Sequence, residues 1–313
     1  MLLAGSPQKP ILFACHCATF HYEWAAPSNT GWLQELVAEL RAWVGSQLRW
    51  SWVSAFPVFE PYNDDCLSIL ERYGASLETP LAESSHAYAT LHAASHGDLH
   101  IGCDSNEQLG WPSPVFLEIY GKMFATPSGL VSRLSIKVGV ELQASLIDFR
   151  ERFERIIANT PITWANAGLG YSGAYWMAYP QTLKAVRAHS IRHPGFDIGL
   201  ELGHLEQFAR RIRSVSWLTA VDKALVPQWD AHQEKGIRIR LVGPAVIVQA
   251  GDAPEPGDTN RLILPEAYAD VDRMLMHVRA REVNLLPPWT QRESNRWLNR
   301  FELWPQGVLE SME

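Results

Sequence analysis

The feature that most constrains this fold is a loop of glycine, proline and acidic residues at positions 251–260, GDAPEPGDTN. Two short apolar runs precede this loop, at 237–242 and 245–249, and Gly243-Pro244 separates them. Apolar runs divided by a Gly-Pro pair indicate a β-hairpin. The sequence therefore predicts that the second strand of the hairpin leads directly into the loop.

The residue types within the loop predict an ordered structure. Gly251 and Gly257 suit backbone conformations that a β-carbon would strain. Asp252, Asp258 and Asn260 suit hydrogen bonds from backbone to side chain that stiffen a turn. The loop contains no Ser, Cys, His or Lys. We therefore interpret it as a built part of the architecture and not as a catalytic loop.

Three further motifs flank the loop. A turn at 193–198 (HPGFDI) and a segment at 215–219 (VSWLT) come before it, and a Leu-Pro-x-x-Tyr helix start at 264–268 follows it. A Gly-Tyr-rich segment at 168–174 lies ahead of all of them. In this order the motifs resemble those of the type VI secretion immunity family, whose members protect bacteria against nuclease toxins of the VRR-Nuc kind. The resemblance is densest over residues 166–281.

This resemblance implies a protein that binds a cognate nuclease effector and covers its DNA-binding cleft or active site. It does not identify the residues that contact the toxin. Because immunity surfaces are specific to each pair, we expect the shared motif residues to form scaffold. These residues are Gly195, Asp197, Trp217, Leu218, Gly251, Pro254, Gly257, Asp258, Asn260 and Tyr268.

The charge of the chain agrees with a protein partner. A formal net charge of −7 argues against direct binding of nucleic acid, which requires a basic surface, and suits a basic partner such as a nuclease. No apolar run reaches 18 residues and no secretory signal precedes the first strand, so we expect no membrane association. Four cysteines in such a chain are expected to stay reduced in the cytoplasm.

The hydrophobic pattern predicts an α+β fold, with a mostly antiparallel sheet and packed helices in a single compact unit spanning residues 1–313. Strands cluster in the first half and again near the loop, which differs from regular βαβ alternation. Predicted strands cover 11–24, 48–56, 87–93, 114–122, 132–142, 237–242 and 245–249. Predicted helices cover 32–44, 146–157, 181–189, 205–212, 217–229 and 266–279.

A metal-dependent hydrolase is the alternative function. His86, His92, His96, His100 and Cys103 are the densest group of potential ligands. The group contains no Cys-x-x-Cys or His-Glu-x-x-His spacing, and the strand predicted at 87–93 would direct His86 and His92 the same way and place His96 in a turn. We therefore expect no bound metal and no catalytic activity. The carboxylates at 252, 255 and 258 could hold a cation, but a turn-stiffening role explains them better.

Three other patterns favour structural roles over chemistry. The spacing Gly168-x-Gly170-x-x-Gly173 imitates a dinucleotide loop, but Pro180 interrupts any helix that would follow, so we expect no nucleotide cofactor. Cys15 and Cys17 face the same side of a predicted strand and are interpreted as buried thiols. The aromatic stripe in the tail at 289–304 predicts a helix that packs on the core, with a partner-docking helix as the alternative.

Overall fold

The fold is built on one large antiparallel sheet. The computed structural model describes residues 1–6, 9–25, 31–48, 50–53, 56–61, 88–94, 115–126, 129–173, 179–198, 211–229, 231–234, 236–282 and 289–302. Within these ranges the strands are β1 Leu2–Ser6, β2 Lys9–Ala25, β3 Trp50–Val53, β4 Phe56–Pro61, β5 Tyr88–Ala94, β6 Phe116–Thr126, β7 Gly129–Val140, β8 Trp164–Gly173, β9 Leu218–Asp222, β10 His232–Glu234, β11 Ile237–Val242 and β12 Ala245–Ala250. The helices are α1 Trp32–Val44, α2 Leu146–Asn159, α3 Tyr179–Arg192, α4 Glu266–Met274 and α5 Gln291–Leu298.

The strand order is β10-β11-β12-β9-β8-β2-β7-β6-β5-β3-β4, and β1 pairs with β2 beside this path. All of these pairings are antiparallel. The 17-residue β2 is the central strand, with β8 on one side and β7 on the other. The α+β class and the antiparallel sheet are confirmed.

Helices α1 and α2 cover one face of the central strands. Phe20 of β2 packs against Phe153 of α2, with ring centroids 5.3 Å apart, and against Trp43 of α1 at 6.4 Å. Both helices carry their apolar residues at helical spacing, so each buries one stripe against the sheet. Ser145 caps α2 by accepting a hydrogen bond from the amide of Asp148.

Helix α3 and the turn at 193–198 pack on this same face at β8, because Tyr171 is paired with Ala14, which shares the face of Phe20. Tyr171 of β8 stacks on Phe196 with ring centroids 5.1 Å apart, and its hydroxyl lies 2.9 Å from Nδ1 of His189 in α3. The opposite face holds buried polar side chains, among them Lys137, which is paired with Thr19 and whose ammonium donates to the backbone carbonyl of Tyr171 at 2.8 Å. The two faces of the sheet are therefore chemically different.

The structure corrects three sequence-based assignments. The segment predicted as a helix at 217–229 contains the strand β9, which is buried between β8 and β12. A short apolar run is ambiguous between a buried strand and a helix, which explains the error. The strand β8 was not predicted, and α4 ends at Met274 rather than at Arg279. The predicted helix at 205–212 lies almost entirely outside the described residues.

Candidate functional site

The loop that follows β12 is the centre of the candidate site, and we define the motif loop as residues 251–263. The predicted hairpin is formed by β11 and β12, with Val242 opposite Ala245 across the turn. Gly251 has a φ of +78°, which favours glycine. Its carbonyl accepts hydrogen bonds from the indole of Trp217 at 3.2 Å and from the side-chain amide of Gln249 at 2.9 Å. Two motifs that are far apart in sequence therefore meet where the loop begins.

The turn at 193–198 packs against the middle of the motif loop. The amide of Gly195 donates to the carbonyl of Pro256 at 2.9 Å. A β-carbon on Gly195 would overlap the carbonyl group of Glu255, so only glycine permits this approach. The amide of Glu255 in turn donates to the hydroxyl of Tyr268 at 3.2 Å, which ties the loop to α4.

Gly257 and Asp258 fix the second half of the motif loop. Gly257 is buried with a φ of +65°, and its carbonyl accepts from Nδ1 of His193 at 2.7 Å. The carboxylate of Asp258 accepts from Nε and Nη2 of Arg192 at 3.2 and 2.9 Å and from the amide of Asn260 at 3.0 Å. The hydrogen bond from Arg192 lowers the pKa of Asp258 below its usual value. Asp258 is therefore the turn-stiffening residue that the sequence predicts.

A buried ion pair lies beneath the turn. Arg213 donates from Nη2 to both carboxylate oxygens of Asp197 at 2.7 Å, and the side-chain amide of Asn166 donates to Oδ2 at 2.8 Å. Burial alone would raise the pKa of Asp197, but the charge of Arg213 and the hydrogen bond from Asn166 outweigh burial and lower it. The amide of Asp197 donates to the carbonyl of Leu169 in β8 at 2.9 Å. The pair thus anchors the turn to the sheet.

The C-terminal tail closes the same region. Arg300 donates from Nε to the carbonyl of Pro194 at 2.6 Å and from Nη2 to Oγ of Ser214 at 2.8 Å. Its guanidinium lies over the rings of Trp297 and Phe301, 4.0 and 4.4 Å from their centroids. Burial lowers the pKa of Arg300 to about 9. In the described part of the tail, the aromatic stripe packs on the core as predicted.

Comparison with known proteins identifies the family. A family model described as type VI immunity for VRR-NUC (TsiV) matches residues 142–301, slightly more than half of the chain. The chain belongs to this family. No curated protein matches the sequence. The structure is similar to the Pseudomonas aeruginosa T6SS protein PA0821, with a TM-score of 0.69 and 19% sequence identity, over 96% of this chain and 87% of that one. At this identity the likeness shows the fold.

The family match spans every motif residue predicted as scaffold, and the structure brings most of them together. Gly195, Gly257, Asp258 and Tyr268 meet through direct contacts around the motif loop. Leu218 is buried at the start of β9, opposite Gln249 of β12. Pro254 is half-buried in the loop, and the backbone amide of Asn260 donates a hydrogen bond to the carboxylate of Asp258. We propose that these positions form scaffold.

Sequence reasoning missed the arginines that complete this site. Arg192, Arg213 and Arg300 each hold one of the motifs in place, yet none was singled out. The one available signal is that a buried aspartate such as Asp197 needs a cationic partner. The partner itself could not be chosen, because the pairing depends on tertiary structure.

The side chains considered as cation or metal ligands form no such group within the described residues. Asp252 bonds to Arg238 at 2.5 Å and Asp258 bonds to Arg192, so these carboxylates point to different arginines. His92 lies in β5 opposite Glu118. His86, His96, His100 and Cys103 lie outside the described residues. In the part of the chain that the structure describes, no three His, Cys, Asp or Glu side chains form a group that could hold a metal ion.

The remaining motifs are structural. The three glycines Gly168, Gly170 and Gly173 lie within β8 rather than in a strand-to-helix turn, so they lack the geometry of a dinucleotide loop. Gly170 gives room to Cys17, whose Sγ would be 2.7 Å from an added β-carbon. Cys15 and Cys17 are buried free thiols with Sγ atoms 3.3 Å apart, on the same side of β2 as predicted. None of the helices described here is long and apolar enough to cross a bilayer.

Proposed function

We propose that this protein is an immunity protein that binds the VRR-Nuc nuclease effector of a type VI secretion system and neutralises it. Neutralisation would occur by covering the DNA-binding cleft or the active site of the nuclease. The observation that carries the proposal is membership of the type VI immunity family for VRR-NUC over residues 142–301. We expect the protein to act in the cytoplasm as a single compact unit.

The charge of the chain supports a basic partner. A net charge of −7 provides long-range attraction to a protein whose cleft binds DNA. Such attraction accelerates association, and salt weakens it because charges are screened beyond about 8 Å at physiological ionic strength. We therefore expect the association rate to fall as salt is raised, while an apolar centre keeps the dissociation rate low.

The motif loop supports a rigid binding surface. Hydrogen bonds tie it to α3 through Arg192, to the turn through Gly195 and to α4 through Tyr268. A surface that is ordered before binding loses little conformational entropy on association. A protein that blocks a toxin by occupancy alone requires this property, because protection lasts only while the complex persists.

The test is protection of cells from the nuclease encoded beside this gene. The nuclease is expressed from one plasmid and this protein from a second, in cells that lack other immunity genes. We expect growth to be rescued and the two proteins to co-purify. A nuclease with an inactivated catalytic site serves as the control for toxicity. Continued killing, with both proteins folded and expressed, would overturn the proposal for that pair.

A further inference from the structure

Three large aliphatic side chains are exposed at one edge of the motif loop. Leu262 and Ile263 at the end of the loop are 58% and 52% exposed, and Ile191 at the end of α3 is 45% exposed. Isolated exposed aliphatic residues are common, but a cluster of them bordered by polar residues marks an interaction site. We call Ile191, Leu262 and Ile263 the apolar edge.

Hydrogen bonds hold the members of this edge together. The carbonyl of Ile191 accepts from the hydroxyl of Thr259 at 3.3 Å. The amide of Asp258 donates to the carbonyl of Ile263 at 2.7 Å, and the amide of Ile263 donates back at 3.0 Å. Arg192, next to Ile191, binds the carboxylate of Asp258. The apolar edge is therefore presented on a braced backbone.

Leu262 has a backbone conformation that its side chain does not favour. Its φ is +57°, the left-handed region, and it is the one non-glycine with positive φ among the described residues. A leucine seldom adopts this conformation, because its β-carbon crowds the backbone. The strain is not offset by burial of the side chain within this chain. Strained backbone that displays an exposed side chain is a feature of binding sites.

The loop that carries the apolar edge also contains carboxylates. The motif loop contains Asp252, Glu255 and Asp258 but only one basic residue, Arg261. Asp258 is bound to Arg192 and Asp252 is bound to Arg238, but Asp252 is still 86% exposed and Glu255 is also exposed. This combination fits a partner surface that offers an apolar hollow bordered by basic side chains. A second copy of this chain fits less well, because a two-fold contact at the edge would bring the same carboxylates near each other.

We propose that the apolar edge inserts into the cognate nuclease, with Asp252 and Glu255 facing basic side chains at the rim of the nuclease cleft. This proposal rests on the proposed function and assigns the contact surface for it. In this arrangement the strain at Leu262 belongs to a preformed binding conformation. Burial of these aliphatic side chains would supply the slow dissociation that protection requires.

The test separates binding from folding by changing Leu262 to asparagine. Asparagine tolerates the left-handed conformation better than leucine, so Leu262→Asn should melt at the same temperature as the parent or higher. The same change removes the apolar side chain that the proposed complex would bury. We expect at least about tenfold weaker binding to the catalytically inactive nuclease, measured by calorimetry. A residue with only a structural role would not raise stability and lower affinity together.

A second variant and two controls complete the design. Ile263→Ser keeps the backbone pairing with Asp258 and should also weaken binding about tenfold. Leu241→Thr in the hairpin and Ile147→Gln on α2 change residues that are 50% and 61% exposed elsewhere. We expect both controls to bind like the parent. Failure of the parent itself to bind the nuclease would instead refute the proposed function.

Three outcomes would overturn the proposal while leaving the proposed function intact. The first is that Leu262→Asn and Ile263→Ser bind the nuclease within twofold of the parent. The second is that Ile147→Gln loses binding while Leu262→Asn keeps it, which places the contact on α2. The third is that sedimentation shows a parent dimer that Leu262→Asn dissociates without any change in nuclease binding, which assigns the edge to self-association.

Discussion

The backbone of Gly195 packs directly against the carbonyl group of Glu255. The carbon atom of this carbonyl would be 2.9 Å from a β-carbon on Gly195, and the amide of Gly195 donates to the next carbonyl, that of Pro256. This contact joins the turn after α3 to the motif loop. The position of the apolar edge relative to the sheet therefore depends on a residue that has no side chain.

Replacing Gly195 with alanine should destabilise the fold by about 3 kcal/mol or more, because the methyl group would force two backbone segments apart. Gly236→Ala is the matched control. Gly236 has a φ of +81° but nothing within 4 Å of an added β-carbon, so only backbone strain of about 1–2 kcal/mol is expected. Urea denaturation of both variants measures the difference, and equal losses would show that the Gly195 contact is unimportant.

Gly257→Val should destabilise the fold more than Asp258→Ala does. Valine at 257 combines a φ of +65° with a β-carbon only 2.9 Å from Cδ of Pro265, which predicts a loss of about 3 kcal/mol or more. Asp258→Ala removes a half-exposed ion pair with Arg192 and a turn bond, which predicts about 1 kcal/mol. Thermal melting checks the order, and two variants that melt like the parent would refute an architectural role for the loop.

Asp197→Ala should be strongly destabilising because it leaves the guanidinium of Arg213 buried without its counter-ion. Removal of one partner from a buried ion pair costs about 3–5 kcal/mol. The control is Asp252→Ala, which breaks an exposed pair with Arg238 and should cost at most about 1 kcal/mol. Chemical denaturation at neutral pH compares the two. Similar small losses would mean that Asp197 does not anchor the turn.

Protonation of His189 should destabilise the protein in mild acid. Burial, followed by the charges of His193 and Arg192, lowers the pKa of His189 in the folded state to about 4. The pKa of histidine in the unfolded chain is about 6.5, so the unfolded state takes up the proton first as pH falls. The contribution of His189 to stability should be complete above pH 6.5, decline between about 6.5 and 4, and then level off.

Protonation of His189 should lower the free energy of unfolding by about 1–2 kcal/mol. This is less than the full pKa shift would give, because the side chain is partly exposed and solvent screens its charge. The measurement is the free energy of unfolding at pH 7 and at pH 4.5, for the parent and for His189→Gln. Glutamine can still bond to the hydroxyl of Tyr171 but does not titrate. The parent should lose more stability than the variant between the two pH values, and parallel losses would contradict the assignment.

Periodicity and turn chemistry within short segments predicted several elements of this fold. The hairpin before the motif loop, the helices α1 and α2 and the need for glycine at 257 follow from periodicity and turn chemistry. The strand β9 was mistaken for a helix because Trp217 to Val221 is apolar apart from Thr219, and buried strands and buried helices share such short runs. Burial on both faces of the sheet removed the alternation that identifies a strand.

The contacts that assemble the candidate site could not be predicted in the same way. Asp197 and Asn166 are 31 residues apart, and Arg192 and Asp258 are 66 apart. Such pairs are decided by how α3 and the motif loop pack, which no local pattern encodes. The resemblance to an immunity family supplied the motif order, but only the structure shows that the motifs form one braced loop with an exposed apolar edge.

The most direct test of the account is a titration of nuclease activity. Purified cognate nuclease cleaves a supercoiled plasmid while this protein is added in increasing amounts at physiological salt. Occupancy of the cleft predicts that cleavage falls in proportion to added protein and ends at one immunity protein per nuclease. The separate proposal for the apolar edge predicts that more of the Leu262→Asn variant than of the parent is needed for the same effect. Full cleavage in the presence of excess folded parent protein would contradict the account.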